Sequence, residues 1–171
     1  DTHLHTSYSF DAYMNQNESA DPDTAFRWAK GLPVIHPYHR ARVRIGTPLD
    51  FLVVSDHAEG MGVLRAIINR TEQFGDLSGW AAVERWFAIA TIRLAMWTGY
   101  GAVIFNDLLP LKLEQWGSDP VKDPGNPPLN STLGDVSATV ITSWNEIVDT
   151  AEAHNEPGRF TALLGWEWSS I

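Results

Sequence analysis

The chain has 171 residues, 44% of them hydrophobic and 19% charged, and its formal net charge at pH 7 is −9. This composition excludes a disordered chain and is enough for one domain with a buried core. The acidic balance argues against nucleic acid as the main partner, because neutralising phosphates needs clustered Lys and Arg. The absence of cysteine excludes disulfides and thiolate metal sites, and it leaves a cytoplasmic, periplasmic or secreted location open.

In the first third of the chain, the sequence pattern predicts a strand, a helix and a second strand. The alternating residues 2–5, "THLH", predict the end of a short strand. Residues 21–31 predict a helix capped by Asp21. Residues 32–48 predict a loop or hairpin. The apolar run at residues 49–54 has the length and composition of a buried parallel strand.

In the rest of the chain, the sequence pattern predicts helices followed by one more strand. Helical periodicity is found at residues 61–74, 80–98 and 137–154, and residues 160–164 form a second short apolar run. The helix at 80–98 carries a stripe of large apolar side chains, which we expect to face the core. The members of this stripe are Trp80, Val83, Trp86, Phe87, Ala90, Leu94 and Trp97.

The longest apolar stretch, "WFAIATIRLAMWTGYGAVIF", includes the charged residue Arg93. A membrane-spanning helix needs about 20 mostly apolar residues without a charge near its centre. The stretch therefore favours a buried or capping helix, and we expect no membrane span.

Side chains suited to metal binding follow each of the three predicted strands. His3 and His5 end the first strand, Asp56 and His57 follow the second, and Glu167 follows the third. The order of strands and helices predicts an α/β fold with a parallel sheet, in which ligands gather at the carboxyl ends of the strands. Strand side chains alternate, so the two histidines of "HLH" share a face, whereas Asp56 and His57 point to opposite faces. Neighbouring imidazoles suit Zn, Mn or Fe.

Each of these side chains also has a simpler interpretation. The "HLH" histidines can be a chance surface pair, and Asp11 can be a helix cap or turn residue. If His57 is a ligand, Asp56 is placed to orient a neighbouring group. Glu167, which lies between two tryptophans, is a metal bridge, a buried general acid or base, or an exposed strand-end carboxylate.

The remaining histidines and an arginine group have weaker signals. Three histidines are interpreted as structural or surface residues, namely His36, His39 and His154. The alternating Arg40, Arg42 and Arg44 form either a solvated face or an anion-steering rim above the site, which makes them candidate substrate-binding residues.

Together, "DTHLHTSYSFDA", "FLVVSDHAE" and "LLGWEW" resemble, in this order, the first three motifs of the PHP superfamily, named for polymerase and histidinol phosphatase. The resemblance is closer to a bacterial PHP-like group, domain-of-unknown-function family 3604. It implies part of a distorted (β/α)7 TIM-like barrel, with a helical insertion at about 61–135 and two or three divalent ions (Mn, Zn or Fe). By position, the ligands would be His3 and His5 for one ion, Glu167 as a bridge to a second, and Asp11 and His57 for a third.

The resemblance further implies a metal-dependent hydrolase that cleaves small-molecule phosphate esters with a metal-activated water. The superfamily's "S-D-G" is replaced here by "SFDA", and its later histidines and final Asp-x-His have no counterpart. We therefore expect residues 1–171 to be the N-terminal portion of a longer barrel, whose remainder completes the site. Two alternatives stay open: hydrolysis of another ester, such as a sulfate ester, and a non-catalytic binding domain with a degenerate metal site.

Overall fold

The computed structural model of the protein describes residues 1–101 and 132–168. Residues 102–131, which belong to the expected helical insertion, and residues 169–171 lie outside this description. The described chain contains five helices and four short strands. In chain order they are α1 (Phe10–Met14), α2 (Pro22–Ala29), β1 (Val34–Ile35), β2 (Arg42–Val43), β3 (Phe51–Val54), α3 (Val63–Asn69), α4 (Gly79–Thr98), α5 (Ser137–His154) and β4 (Thr161–Leu164).

The strands form two small sheets. β1 and β2 pair as an antiparallel hairpin, as one of the two sequence interpretations expected. β3 and β4 pair in parallel over their whole lengths, with Phe51 opposite Thr161 and Val54 opposite Leu164. The opening segment runs beside β3, where Leu4 forms a single parallel bridge with Val54. The strand expected at "THLH" is therefore reduced to this one bridge.

The prediction of part of a distorted (β/α)7 TIM-like barrel is wrong. A barrel requires a closed ring of paired strands, whereas the described residues hold two sheets of two strands each. The side chains of β4 are also poorly covered, with Leu163 and Leu164 exposed by 42% and 45%. The apolar runs located β3 and β4 correctly, but their lengths carry no information about how many strands complete the sheet.

The helix expected at residues 21–31 is confirmed as α2, and its end signals act as predicted. The Asp21 side chain accepts a hydrogen bond from the Thr24 backbone N–H at 2.9 Å, and Pro22 occupies the first turn. Gly31, just past the end of α2, has φ +76°, a backbone conformation that favours glycine.

The core has two parts, and one of them supports the candidate site. The first part lies between β3, α2 and α5. It includes Leu52, Val54, Phe26, Ala29, Ile147 and Ala151, all at most 2% exposed. This packing fixes the direction in which β3 points its carboxyl end. The second part lies around α3 and includes Tyr13, Leu64, Ile67, Ile92 and Leu133.

The helix expected at residues 80–98 is confirmed as α4, but the face assigned to the core is wrong. Trp80, Trp86 and Trp97 of the predicted stripe are 73%, 65% and 84% exposed. The buried face instead carries Ile92 and Ala95. Hydrophobic periodicity gives the spacing of a face, and a helix with apolar residues on two sides leaves open which side packs. Among the described helices, none is long and apolar enough to cross a membrane.

Candidate metal centre

Three chain segments meet at the carboxyl ends of β3 and β4. Beyond the last paired residues of these strands, His57 and Glu167 form a further parallel bridge. The Glu167 backbone N–H donates to the Asp56 carbonyl at 3.0 Å, and the Ala58 N–H donates to the Glu167 carbonyl at 2.9 Å. The Ser55 N–H donates to the Leu4 carbonyl at 2.9 Å and brings the opening segment to the same edge. Backbone pairing therefore places His5, His57 and Glu167 side by side.

A glycine allows the two strand ends to approach this closely. A Cβ atom on Gly165 would lie 2.4 Å from the Val53 Cγ1 atom, which is closer than packed carbon atoms tolerate. The glycine in "LLGWEW" therefore has a packing reason. It lets the chain continue close beside β3 from the end of β4 to Glu167.

The first donor group consists of His3, His5 and Glu167. The Nε2 atoms of the two histidines are 3.0 Å apart, and they lie 2.9 Å and 2.7 Å from the Glu167 Oε2 atom. The His3 side chain is 64% exposed and the His5 side chain 17%, so the group opens to solvent on the His3 side. Three ligand-type atoms that face one another at these distances can hold one divalent cation.

The second donor group consists of His5, Asp11 and His57, whose donor atoms lie within 4.8 Å of one another. The Asp11 Oδ2 atom lies 2.9 Å from His5 Nδ1 and 3.8 Å from His57 Nε2. His57 Nε2 is also 3.9 Å from the Glu167 Oε2 atom. Separations of 3.8 and 3.9 Å are too long for hydrogen bonds, but they suit two ligands that bind one cation at about 2.1 Å each.

The two carboxylates of these groups are held in their charged forms. The hydrogen bond from His3 lowers the pKa of Glu167, and the nearby His57 and His5 add to this effect. Burial opposes ionisation of Asp11, but hydrogen bonds from Ser9 and His5 outweigh burial and lower its pKa. Imidazole nitrogens together with ionised carboxylates are the donor set that Zn, Mn or Fe binds, so the residues present fit a divalent ion.

Asp56 belongs to neither donor group. Its carboxylate is fully buried and accepts hydrogen bonds from the Thr6 backbone N–H at 2.5 Å and from the Thr6 hydroxyl at 2.7 Å. Burial raises the pKa of Asp56, and the bonds from Thr6 offset part of that shift. Asp56 and His57 thus face different partners, as strand alternation predicts, and Asp56 anchors the residue next to His5.

Two residues that contact the candidate site, both with hydroxyl side chains, were missed by the sequence reasoning. Thr6 holds Asp56, and the fully buried Ser9 contacts Asp11 and the His57 backbone. The available signal was the polar run "TSYS" between two candidate ligands. Most buried hydroxyls have hydrogen-bond partners, so such a run beside a metal-binding motif indicates supporting contacts.

The residues given other roles lie away from the donor groups. The exposed Arg40, Arg42 and Arg44 belong to the β1–β2 hairpin region, and the Arg40 guanidinium reaches the Ser19 hydroxyl at 3.5 Å. The hydrogen bonds and ion pairs described for this region connect none of the three arginines to the donor groups. Two of the three remaining histidines, His36 and His39, lie in the hairpin turn; the third, His154, ends α5 and lies 2.9 Å from Asp23.

Comparison with known proteins identifies a family. Neither a curated protein nor a solved structure matches the chain. A family model matches residues 1–171 and carries the description "Protein of unknown function (DUF3604)". The family 3604 part of the resemblance drawn from the three motifs is thereby confirmed. With its whole length matched, the chain belongs to the DUF3604 family.

Proposed function

We propose that this protein is a metal-dependent hydrolase that cleaves phosphate esters. The observation that supports the proposal is the convergence of five donor side chains, from three separate segments, into two overlapping groups. Three imidazoles and two ionised carboxylates at these separations would suit divalent cations. The resemblance of the three motifs to the PHP superfamily supports the same assignment, although the described strands do not form that superfamily's barrel.

In this proposal His3, His5 and Glu167 would hold one divalent ion, Glu167 would also serve a second, and Asp11 and His57 would serve a third. The ions are Mn, Zn or Fe, two or three in number. When bound, they would supply Lewis-acid stabilisation of negative charge on the ester and lower the pKa of a coordinated water. The Asp11 carboxylate lies 2.9 Å from His5 Nδ1, and with the imidazole proton on Nδ1 and directed at Asp11, the Nε2 atom of His5 would be available to hold an ion.

The charge of the site favours an anionic ester over a neutral one. Without cations, Asp11 and Glu167 would repel a phosphate ester, as would the net charge of the whole chain, which is −9. With two or more divalent ions the sign of the local field reverses, so that the site attracts anions. Glu167 and Asp56 then contribute differently: Glu167 as a ligand between the ions, and Asp56 by holding Thr6 and therefore His5.

The test is metal analysis and hydrolysis by the full-length protein purified from Mn- or Zn-supplemented medium. His5→Ala and Glu167→Gln should each lower both the bound metal and the hydrolysis of an aryl phosphate. His36→Ala is the matched control, because His36 lies in the β1–β2 turn and should leave both values unchanged. Metal content and aryl phosphate hydrolysis that survive His5→Ala and Glu167→Gln would contradict the proposal. An aryl sulfate assayed in parallel identifies the alternative ester class.

A further inference from the structure

We infer that Ser9 is a positioning residue: its hydroxyl holds the Asp11 carboxylate and the start of the His57 segment in one arrangement. This inference rests on the proposed function, since it gives Ser9 a role towards the divalent ions proposed there. Two observations support it. The fully buried Ser9 hydroxyl makes three contacts around the second donor group, and it makes no helix-capping hydrogen bond.

Ser9 stands at the N-cap of α1, where a serine ordinarily has a local purpose. An N-cap serine has extended backbone angles, and its hydroxyl accepts a hydrogen bond from an N–H two or three residues further on. Ser9 has such angles, with φ −81° and ψ 132°, but its side chain makes no capping bond. Helix capping therefore does not account for a serine at this position.

The hydroxyl of Ser9 instead connects the two halves of the second donor group. It donates to the Asp11 Oδ1 atom at 2.5 Å and accepts from the His57 backbone N–H at 3.2 Å. It also lies 3.4 Å from His5 Nδ1. The single hydroxyl proton is directed at the carboxylate, because the His57 N–H supplies its own proton.

These contacts determine which oxygen of Asp11 faces the candidate ion. With Oδ1 bonded to Ser9, the Oδ2 atom is turned towards His57 Nε2 at 3.8 Å, while His5 Nδ1 lies 3.1 Å from Oδ1 and 2.9 Å from Oδ2. The same hydroxyl holds the backbone from which the His57 ring projects. Removing it would let the Asp11 carboxylate rotate and would loosen the position of His57, so both proposed ligands would lose their preset orientation.

The chain offers a matched control two residues earlier. Ser7 is also buried, with 1% exposure, but its hydroxyl has no hydrogen-bond partner among the described residues. Ser7→Ala therefore removes a buried hydroxyl from the same segment without touching Asp11 or His57. A general effect of altering this loop would appear in both variants, whereas a positioning effect would appear only in Ser9→Ala.

The experiment measures the dissociation constants of Mn²⁺ and Zn²⁺ by competition with a chromophoric chelator, using the full-length protein. We expect Ser9→Ala to weaken affinity by about 10- to 100-fold, the usual effect of losing a group that orients a ligand. Ser7→Ala should change it by less than about twofold. In an Asp11→Asn background, Ser9→Ala should cause a smaller further loss than in the wild type, because the part of its effect that acts through Asp11 is already gone and only the part that acts through the His57 backbone remains.

The outcomes separate this inference from the proposed function. A wild-type protein that binds neither ion overturns both. A wild-type protein that binds ions with equal affinity to Ser9→Ala overturns the role of Ser9 alone, as does an equal loss in Ser7→Ala. If Ser9→Ala does not fold, Ser9→Thr decides: it keeps the hydroxyl and should keep wild-type affinity, and a tenfold loss in folded Ser9→Thr overturns the inference.

Discussion

The carboxylate of Asp56 accepts both hydrogen-bond donors of Thr6, the backbone N–H at 2.5 Å and the hydroxyl at 2.7 Å. Neither residue is more than 1% exposed. Thr6 directly follows His5, and Asp56 directly precedes His57. This contact therefore joins the segment that carries His3, His5 and Asp11 to the segment that carries His57, out of reach of solvent competition.

Asp56→Asn should destabilise the protein, because the asparagine amide offers one acceptor oxygen in place of the two carboxylate oxygens that Thr6 uses. Leaving a buried hydrogen-bonding group unsatisfied costs about 1–3 kcal/mol, and we expect the free energy of unfolding to fall by that amount. Urea unfolding of the metal-free protein measures it. The control is Asp50→Asn, an exposed carboxylate just before β3, which should change stability by less than about 0.5 kcal/mol. Equal effects of the two changes would contradict the role of the Thr6 contact.

Gly62 is expected to tolerate no side chain. Its φ is +72°, and a Cβ atom there would lie 1.9 Å from the Ser143 Oγ atom on α5. Its N–H also donates to the Tyr8 carbonyl at 2.7 Å, within the loop that carries the donor residues. Gly62→Ala should therefore lower the free energy of unfolding by more than about 2 kcal/mol, through backbone strain and overpacking together.

The control for this glycine is Gly46→Ala. A Cβ atom on Gly46 would meet nothing within 4 Å, and its φ is not positive. Alanine there should be neutral or stabilise by up to about 1 kcal/mol, because it restricts the unfolded chain. Denaturant midpoints for the two variants check the prediction, and a Gly62→Ala variant as stable as Gly46→Ala would refute it.

Local patterns predicted local structure well in this chain. The helix expected at 137–154 matches α5 (Ser137–His154), because Ile147 and Ala151 recur at the helical spacing and face the core. The meeting of His3, His5, His57 and Glu167 followed from one rule, that parallel strands end at a shared edge.

Long-range arrangement was not predictable by the same means. The predicted stripe of α4 has helical spacing but lies on the exposed side of the helix. Apolar residues occur on two faces of α4, and only its packing against the rest of the fold determines which face is buried. The barrel failed because strand number depends on pairing partners far apart in sequence. The Thr6–Asp56 contact spans 50 positions between two residues whose side chains have many possible partners, so no spacing rule finds it.

His3→Ala should separate ion binding from stability. The His3 side chain is 64% exposed, so its loss should change the metal-free stability by less than about 0.5 kcal/mol. Its Nε2 atom belongs to the first donor group, and losing one of three donors should weaken Mn²⁺ affinity at least about tenfold. By mass action, each tenfold loss removes about 1.4 kcal/mol of the stabilisation that saturating Mn²⁺ gives.

Thermal unfolding with and without Mn²⁺ measures both effects for His3. The matched control is His39→Ala, an exposed histidine in the β1–β2 turn, which should unfold like the wild type in both conditions. The same Mn²⁺-dependent stabilisation in His3→Ala and wild type would show that His3 is not a ligand.

Stability should decline at alkaline pH because of Tyr8, whose hydroxyl donates a hydrogen bond to the Glu146 carboxylate. Burial raises the pKa of Tyr8, and the bond to Glu146 raises it further, while Arg65, whose guanidinium lies 4.6 Å from the ring centre, lowers it less. In the unfolded chain tyrosine ionises near pH 10. Below that pH the contribution of Tyr8 is fully present. Above it the unfolded state loses a proton that the folded state keeps, so stability falls as the pH rises towards the folded pKa.

Tyr8→Phe should remove this part of the alkaline decline, while lowering stability near neutral pH by about 1 kcal/mol through the lost hydrogen bond. The measurement is urea unfolding at about pH 8 and about pH 10.5 for each protein. Tyr38→Phe is the control, since Tyr38 is 60% exposed and should leave the wild-type pH dependence unchanged. Tyr13, whose pKa burial also raises, is present in all three proteins and cancels in the comparison. A decline in Tyr8→Phe as steep as in the wild type would assign the alkaline loss to groups other than the Tyr8–Glu146 pair.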